Sequence, residues 1–401
     1  MLNTETREVI KATAPVLAEH GLTITRRFYQ RMFEQHPELK NLFNQSHQAA
    51  GDQPKALANA VHAYAMHIDN PQVLASAIER IAHKHVSLRV QPEQYAIVGE
   101  HLLGAIKDIL GDAATDQIID AWAAAYQQLA DILIEKEAAL YRDSEQQPGG
   151  WSDWRPFVVA DRVRESAEIV SFYLHPQDDA PVPPHRPGQY ISVRTEVPDW
   201  GLKQPRQYSL SDEPNGRYLR ISVKREAGRE DRPDGVISSL LHEKFKEGTA
   251  IELSAPFGDF RLHQERSTPV VLICGGVGIT PLLCMLKALA RTERQVLFVH
   301  GARNREVQAF RDEVEAARRQ GPNRIRTAFF LETPDGGLEP DEHHGQVDLN
   351  RIDLPAIDSG ADYYLCGPLP FIRLHRDLLL DRGVDPANIH YEVFGSDVLA
   401  A

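Results

Sequence analysis

Four groups of residues in this chain combine types and spacings that can do chemistry. Residues 269–281 read Pro-Val-Val-Leu-Ile-Cys-Gly-Gly-Val-Gly-Ile-Thr-Pro, an apolar strand pattern that meets a glycine turn and then a helix start. Glycines let a backbone approach a phosphate, and a helix N-terminus offers unpaired N–H groups and a positive dipole end. Gly276, Val277, Gly278, Ile279, Thr280 and Pro281 are therefore a candidate nucleotide loop, opening an amphipathic helix. The spacing is not Gly-x-Gly-x-x-Gly, because Pro281 stands where the third glycine would be. Upstream, Arg206-Gln207-Tyr208-Ser209 offers a cation, a ring and a hydroxyl within four residues, the groups that a flavin requires. Arg186-Pro-Gly-Gln-Tyr190 precedes it, and Gly235-Val-Ile-Ser-Ser239 opens a helix suited to a pyrophosphate. Leu365-Cys366-Gly367-Pro368 closes a later apolar run. Finally, Ile81-Ala-His-Lys-His-Val86 carries two imidazoles, His83 and His85, on a helical pattern. Imidazole suits iron, and a ligating imidazole needs an acceptor on its other ring nitrogen. Tyr95 and Glu137, on later helices, are candidates for that role. Taken one at a time, each group also has an ordinary reading as a turn, a surface strand, a packing tyrosine or an exposed glutamate.

The elements that must position these residues change character along the chain. Residues 1–143 read as all helix, with apolar residues at spacings of three and four, as in Trp122, Tyr126, Leu129, Leu133 and Leu140. Pro37, Pro54, Pro71 and Pro92 fall where helices should start or stop. Residues 144–150, Ser-Glu-Gln-Gln-Pro-Gly-Gly, are the linker candidate. Residues 151–264 show short runs of β-type alternation separated by turn clusters, which predicts a small antiparallel barrel. From residue 265 to 401 strand patterns at 270–274, 295–300, 324–331 and 362–366 alternate with helical ones, which predicts a parallel α/β sheet. The expected fold is thus multi-domain: all-α, then antiparallel β-barrel, then α/β.

Composition bounds the function. A chain of 401 residues exceeds one core, and 42% hydrophobic with 25% charged residues is a globular profile. A net charge of −13 argues against nucleic-acid or anionic-membrane partners. No run approaches the roughly 20 apolar residues of a membrane span. Cys274, Cys284 and Cys366 cannot build a disulfide framework, and with no signal-like apolar segment at the start a reducing cytoplasm is expected.

In order, Arg-Pro-Gly-Gln-Tyr at 186–190, Arg-Gln-Tyr-Ser at 206–209, the glycine loop, Cys-Gly-Pro at 366–368 and Glu392-Val-Phe-Gly395 resemble the ferredoxin-NADP reductase superfamily over residues 151–401. That resemblance implies FAD on Tyr190, Arg206, Gln207, Tyr208 and Ser209, with Phe394, Gly395 and Ser396 over the flavin. It puts the nicotinamide nucleotide on residues 276–281 and on Cys366, Gly367 and Pro368. The stretch 227–235 is longer than the usual loop, and Ser396 stands where relatives often carry proline. The string Phe28-Tyr-Gln-Arg-Met-Phe33, His36-Pro-Glu-Leu-Lys-Asn-Leu-Phe43, Gly51-Asp-Gln53, Leu57 and Ala82-His-Lys-His85 resembles a haem globin over residues 1–143. By that resemblance His85 is the iron ligand of haem b, with Tyr95 and Glu137 as its partners. Tyr29, Gln53 and Leu57 are distal, Phe43 packs on the haem, and Lys84 raises the local positive potential.

A globin joined to such a reductase resembles the flavohaemoglobins. The resemblance implies nitric oxide dioxygenase activity: NAD(P)H reduces FAD, FAD reduces haem, and haem with O2 oxidises NO to nitrate. O2 or NO binding and anaerobic NO reduction are implied as secondary activities. NADH is the donor expected from the family, although Arg303 and Arg305 after the second strand could meet the 2′-phosphate of NADPH. The implied partners are small molecules acting on a monomer. Two other classes stay open from sequence, namely a haem protein that only binds O2 or NO, and a flavin reductase of quinones or hydroperoxides.

Overall fold

The computed structural model describes residues 2–228 and 233–395. The first region is helical: α1 (Thr4–Gln35), α2 (Gln45–Ala50), α3 (Asp52–Met66), α4 (Ala75–Ser87), α5 (Pro92–Leu110) and α6 (Asp116–Gln146). Local chemistry sets the ends. Asn3 and Thr115 cap α1 and α6 by accepting from Thr6 N–H and Ile118 N–H, and Pro92 opens α5 where an N–H has no partner anyway. The exposed Pro15 lies inside α1, where it removes one helical donor without ending the helix. The break between regions differs from the sequence expectation of 144–150. Helix α6 runs on through Gln146, because Ser144 is buried and its hydroxyl donates to Trp151 O at 2.7 Å, which holds the last turn. Ile10, Ile24, Phe28, Met32, Tyr64, Leu102, Ile106 and Trp122 form the helical core. At Gly99 a Cβ would meet the Tyr126 ring at 2.6 Å, so glycine lets α5 and α6 cross closely, and Tyr126 Oη then donates to Tyr95 O at 2.6 Å.

The second region contains β1 (Arg155–Arg164), β2 (Ile169–Pro176), β3 (Tyr190–Val197), β4 (Leu202–Ser209), β5 (Leu219–Lys224), α7 (Val236–Lys244) and β6 (Ala250–Leu253). The strands form one antiparallel sheet in the order β4-β3-β6-β1-β2-β5, and a Leu210–Ile221 bridge brings its two edges together as a barrel. The third region holds β7 (Val270–Gly275), α8 (Ile279–Ala290), β8 (Val296–Ala302), α9 (Arg311–Gln320), β9 (Ile325–Leu331), β10 (Glu342–His344), β11 (Asp362–Gly367), α10 (Leu369–Asp381) and β12 (Ile389–Val393). Its parallel sheet has the order β10-β9-β8-β7-β11-β12. The chain therefore reverses direction between β7 and β11, the point where such sheets open a crevice at the strand C-termini. Strands β7 and β11 are buried throughout, as their continuous apolar runs require. Helix α8 is not amphipathic as the sequence suggested; nearly all of it is buried. The barrel covers its outer side: Cys284 Sγ lies 3.0 Å from Asp212 O, and Lys287 Nζ donates to Asp212 Oδ1 at 2.7 Å.

The helical region docks on the barrel through α4 and the segment before α2. Val86 packs with Ala255 and Phe257. Gln204 Nε2 donates to Lys40 O at 3.0 Å, and Gln45 N–H donates to Gln204 Oε1 at 3.1 Å. Lys203 N–H donates to Asn41 Oδ1 at 2.8 Å.

Candidate functional site

Successive residues on α4 point in different directions, so His83, Lys84 and His85 meet different neighbours. His83 faces the barrel: Gly258 N–H donates to its Nδ1 at 3.1 Å, and its Nε2 lies 3.2 Å from Glu79 Oε1. Both ring nitrogens are thereby occupied. His85, two residues on and hence across the helix, faces inward to α5 and α6. Its Nδ1 lies 2.8 Å from Glu137 Oε1 and 2.9 Å from Tyr95 Oη. Tyr95 Oη donates to the same Glu137 oxygen at 2.5 Å. A carboxylate only accepts, so the proton between His85 and Glu137 sits on Nδ1 and leaves the Nε2 lone pair free. Glu137 is 3% exposed, so its charge depends on these two donors. Burial first, then the Glu137 carboxylate, pushes the Tyr95 phenol far above its ordinary range. An imidazole with one nitrogen held and the other open is what an axial iron ligand requires.

The opposite wall comes from α1 and α3. Tyr29 is buried, with its ring 5.5 Å from Phe43 and 5.8 Å from Phe33. Burial raises its phenol, and its hydroxyl shares a hydrogen bond with Gln48. Gln48 Nε2 in turn donates to Gln53 Oε1 at 3.0 Å. Tyr29, Gln48 and Gln53 are thus one polar chain on an otherwise apolar wall. Leu57 lies one turn after Gln53 and packs against the helical core with Phe43.

On the barrel side, Tyr190 pairs in register with Ser209, and Gln207 with Ser192. Arg206 donates to Pro205 O at 2.7 Å and reaches Ser46 Oγ of α2 at 3.4 Å. It makes no ion pair among the described residues, and burial lowers its guanidinium to about 10. A half-buried cation with no protein anion fits a phosphate or an electron-rich ring. Burial raises the phenols of Tyr190 and Tyr208, and the Tyr190 hydroxyl bonds to Ser87. At the first turn of α7, Ser239 Oγ is buried with no protein partner among the described residues. That orphan hydroxyl beside free helix N–H groups fits a pyrophosphate. Lys84 and Gln207 meet in the seam itself: Lys84 Nζ donates to Gln207 Oε1, and Gln207 Nε2 donates to Ser192 Oγ at 2.8 Å. Ser192 Oγ then donates to Ser87 Oγ of α4 at 3.1 Å. Lys84 keeps contact with solvent along this cleft. The protein around it nonetheless lowers its ammonium to about 8, opposed by Glu392. It therefore faces the barrel rather than the inner cleft that His85 enters.

The nucleotide loop lies at the switch point. Gly276 adopts φ +54°, which favours glycine, and a Cβ on Gly278 would strike Cys366 O at 2.2 Å. The loop of Gly276–Pro281 and the Cys366-Gly367-Pro368 segment are in backbone contact for that reason. Phe394 is 46% exposed beyond β12 and Gly395 has φ +147°. Ser396 lies outside the described residues. Sequence reasoning missed Gln48, Ser87, Ser192 and Gln204. They are isolated polar residues with no periodic signal, and only contacts between distant segments give them a role.

Two family patterns match the chain: Globin over residues 26–133 and Oxidoreductase NAD-binding domain over residues 272–377. The flavohemoprotein of Rhizobium meliloti is 52% identical over 403 residues and covers all of both chains. That of Bordetella pertussis is also 52% identical with full coverage of both. Among solved structures, the flavohemoglobin of Malassezia yamatoensis, with bound FAD and heme, superposes at a TM-score of 0.87. It is 32% identical and covers 98% of this chain and 100% of its own. The FAD/NAD-binding domain of the nitric oxide dioxygenase of Vibrio cholerae matches 61% of this chain and 99% of its own, at TM-score 0.56 and 38% identity. With a globin, a flavin-type barrel and an NAD-binding domain in one chain of the same length as these relatives, the protein belongs to the flavohemoprotein family.

Proposed function

We propose that this chain is a nitric oxide dioxygenase, converting NO and O2 to nitrate with electrons from a reduced nicotinamide nucleotide. The carrying observation is the His85–Glu137–Tyr95 cluster. A buried carboxylate bonded to Nδ1 gives the imidazole imidazolate character and makes Nε2 a strong electron donor. Activation of oxygen needs that push; reversible storage does not. When bound, haem supplies a redox-active iron with an open position, and FAD divides a hydride into single electrons. Tyr95 and Glu137 hold the proton on Nδ1 and keep Nε2 aimed at the metal position. Tyr29, oriented by Gln48, presents a hydroxyl donor where negative charge would develop on a small ligand. Leu57 and Phe43 exclude water from that wall. Arg206, Tyr190, Tyr208 and Ser209 hold the flavin, and the Lys84–Gln207–Ser192–Ser87 chain keeps its barrel against α4. Residues 276–281 and 366–368 take the nucleotide at the crevice. Three free, buried cysteines support a cytoplasmic location. Nothing beyond small molecules is needed as a partner, and a monomer suffices.

The test is NO consumption by haem- and FAD-loaded protein with NADH and O2, followed with an NO electrode and a nitrate assay. Nitrate formed in step with NO lost is expected. Consumption that does not need NADH, or that yields no nitrate, overturns the reading.

A further inference from the structure

In doubly wound nucleotide domains the residues just past the second strand meet the adenosine ribose. An acidic group there takes the 2′-hydroxyl, and an arginine accommodates a 2′-phosphate. Here that place is Arg303-Asn304-Arg305, directly after β8. By residue type, two arginines favour the phosphorylated nucleotide. Their contacts say otherwise.

Every guanidinium nitrogen of Arg305 is already used. Nε donates to Glu342 Oε1 at 3.3 Å, and Nη2 donates to Glu342 Oε2 and to Gly337 O, the latter at 2.6 Å. Nη1 donates to Asp335 O at 2.7 Å. Glu342, on edge strand β10, has a side chain only 3% exposed, and Glu339 N–H donates to its Oε2 at 2.9 Å. Releasing Arg305 to a ligand would take its bidentate partner from a buried carboxylate, leaving it Glu339 N–H and Arg311 Nη1 at 3.9 Å, so the release is opposed by the cost of weakening a buried pair. Arg303 Nη2 donates to Glu168, the residue preceding β2 in the barrel. This second pair is more exposed, 57% and 31%, and so weaker.

We propose that Glu342 and Glu168 are specificity-determining residues that select NADH over NADPH. They withhold Arg305 and Arg303 from a 2′-phosphate by neutralising both cations. Discrimination is thus achieved by withholding an attractive element from the competing nucleotide. Glu342 carries the larger share because its pair is buried and bidentate. The inference rests on the reading that the reductase half takes a reduced nicotinamide nucleotide.

Anaerobic stopped-flow reduction of the flavin by NADH and by NADPH, in the full-length holoprotein, tests it. Wild type should favour NADH. Glu342→Gln should raise the NADPH:NADH efficiency ratio about tenfold, the scale of one charge-assisted hydrogen bond. Glu168→Gln should raise it less, and adding Arg305→Ala to Glu342→Gln should cancel the gain. An Arg303→Ala/Glu168→Gln double variant, which removes both charges of the exposed pair, keeps the test open even if the Glu342 variant does not fold. It should leave the ratio unchanged, and a tenfold loss of NADPH use would mean that Arg303 already serves a phosphate, overturning the inference. A correctly folded Glu342→Gln protein with an unchanged ratio overturns it too. NADPH equal to NADH in wild type overturns this inference alone, whereas failure of both nucleotides to reduce the flavin overturns the reading of the reductase half with it.

Discussion

The His85 cluster and the Gly276–Pro281 loop are built by opposite means. The loop of Gly276–Pro281 is a backbone site: its shape follows from a positive φ at Gly276, a missing Cβ at Gly278 and a helix start at Ile279, all within four residues. The His85 cluster is a side-chain site. Its three members come from α4, α5 and α6, with Glu137 52 positions beyond His85 and 42 beyond Tyr95. A backbone site tolerates change of the side chains around it but not of its glycines. A side-chain site depends on each member, because each satisfies a buried polar group of another.

Exchanging the two histidines of α4 should give the largest effect. His85→Ala is expected to abolish haem binding or its normal spectrum, while NADH still reduces the flavin. His83→Ala should spare the haem and loosen the barrel contact at Gly258. Absorption spectra and flavin reduction read both, and a reversed pattern would mean that the iron lies on the barrel-facing side of α4.

Acid should separate the two halves next. Burial pushes His300, His375 and, against the pull of Asp212, His185 down to about 4. All three belong to the nucleotide domain or its seam with the barrel. Their folded pKa lies below the ordinary value, so the unfolded chain binds more protons between about 6.5 and 4. Stability is therefore full above about pH 6.5 and falls as pH drops toward 4, by up to about 3 kcal/mol for each histidine. Flavin release on heating should shift to lower temperature between pH 7 and 5 by more than haem loss does. An equal or larger shift of the haem transition would remove this distinction.

Glu137→Gln keeps the size but weakens the acceptor. It should retain haem and slow NO consumption about 10- to 100-fold, the usual scale for loss of such a partner. Unchanged rates, where haem chemistry limits turnover, would return Glu137 to a packing role. Tyr29→Phe should have the smallest effect. Losing one hydrogen bond of about 1.5 kcal/mol should speed O2 release from the ferrous holoprotein roughly tenfold. Flavin reduction by NADH should not change, and wild-type O2 release would shift the donor role to Gln53 or Gln48.

Strands β7, β8, β9 and β11, the helix after the glycine loop and most of the helical region were legible in the sequence, because hydrophobic period and turn residues are local signals. So were the residue types at every candidate site. The extent of α6 was not, since a buried Ser144 and its bond to Trp151 hold a last turn that polar composition marks as a break. Nor was the burial of α8 on its outer side, which depends on a barrel folded from other residues.

What the sequence determined by itself is therefore the inventory: three regions, a glycine loop able to meet a phosphate, two histidines on one helix, and two arginines after a second strand. Tertiary structure decided the assignments. It closed both nitrogens of His83 against Glu79 and Gly258 while, among the described residues, engaging only Nδ1 of His85, and it linked Tyr29 to Gln48 and Gln53. It also turned Arg303 and Arg305 from candidate phosphate ligands into the occupied halves of ion pairs. The physical reason is common to all of these. Period and propensity act over a few neighbouring residues, whereas the partner that satisfies a polar side chain is set by which distant segments the packed core brings within about 3 Å.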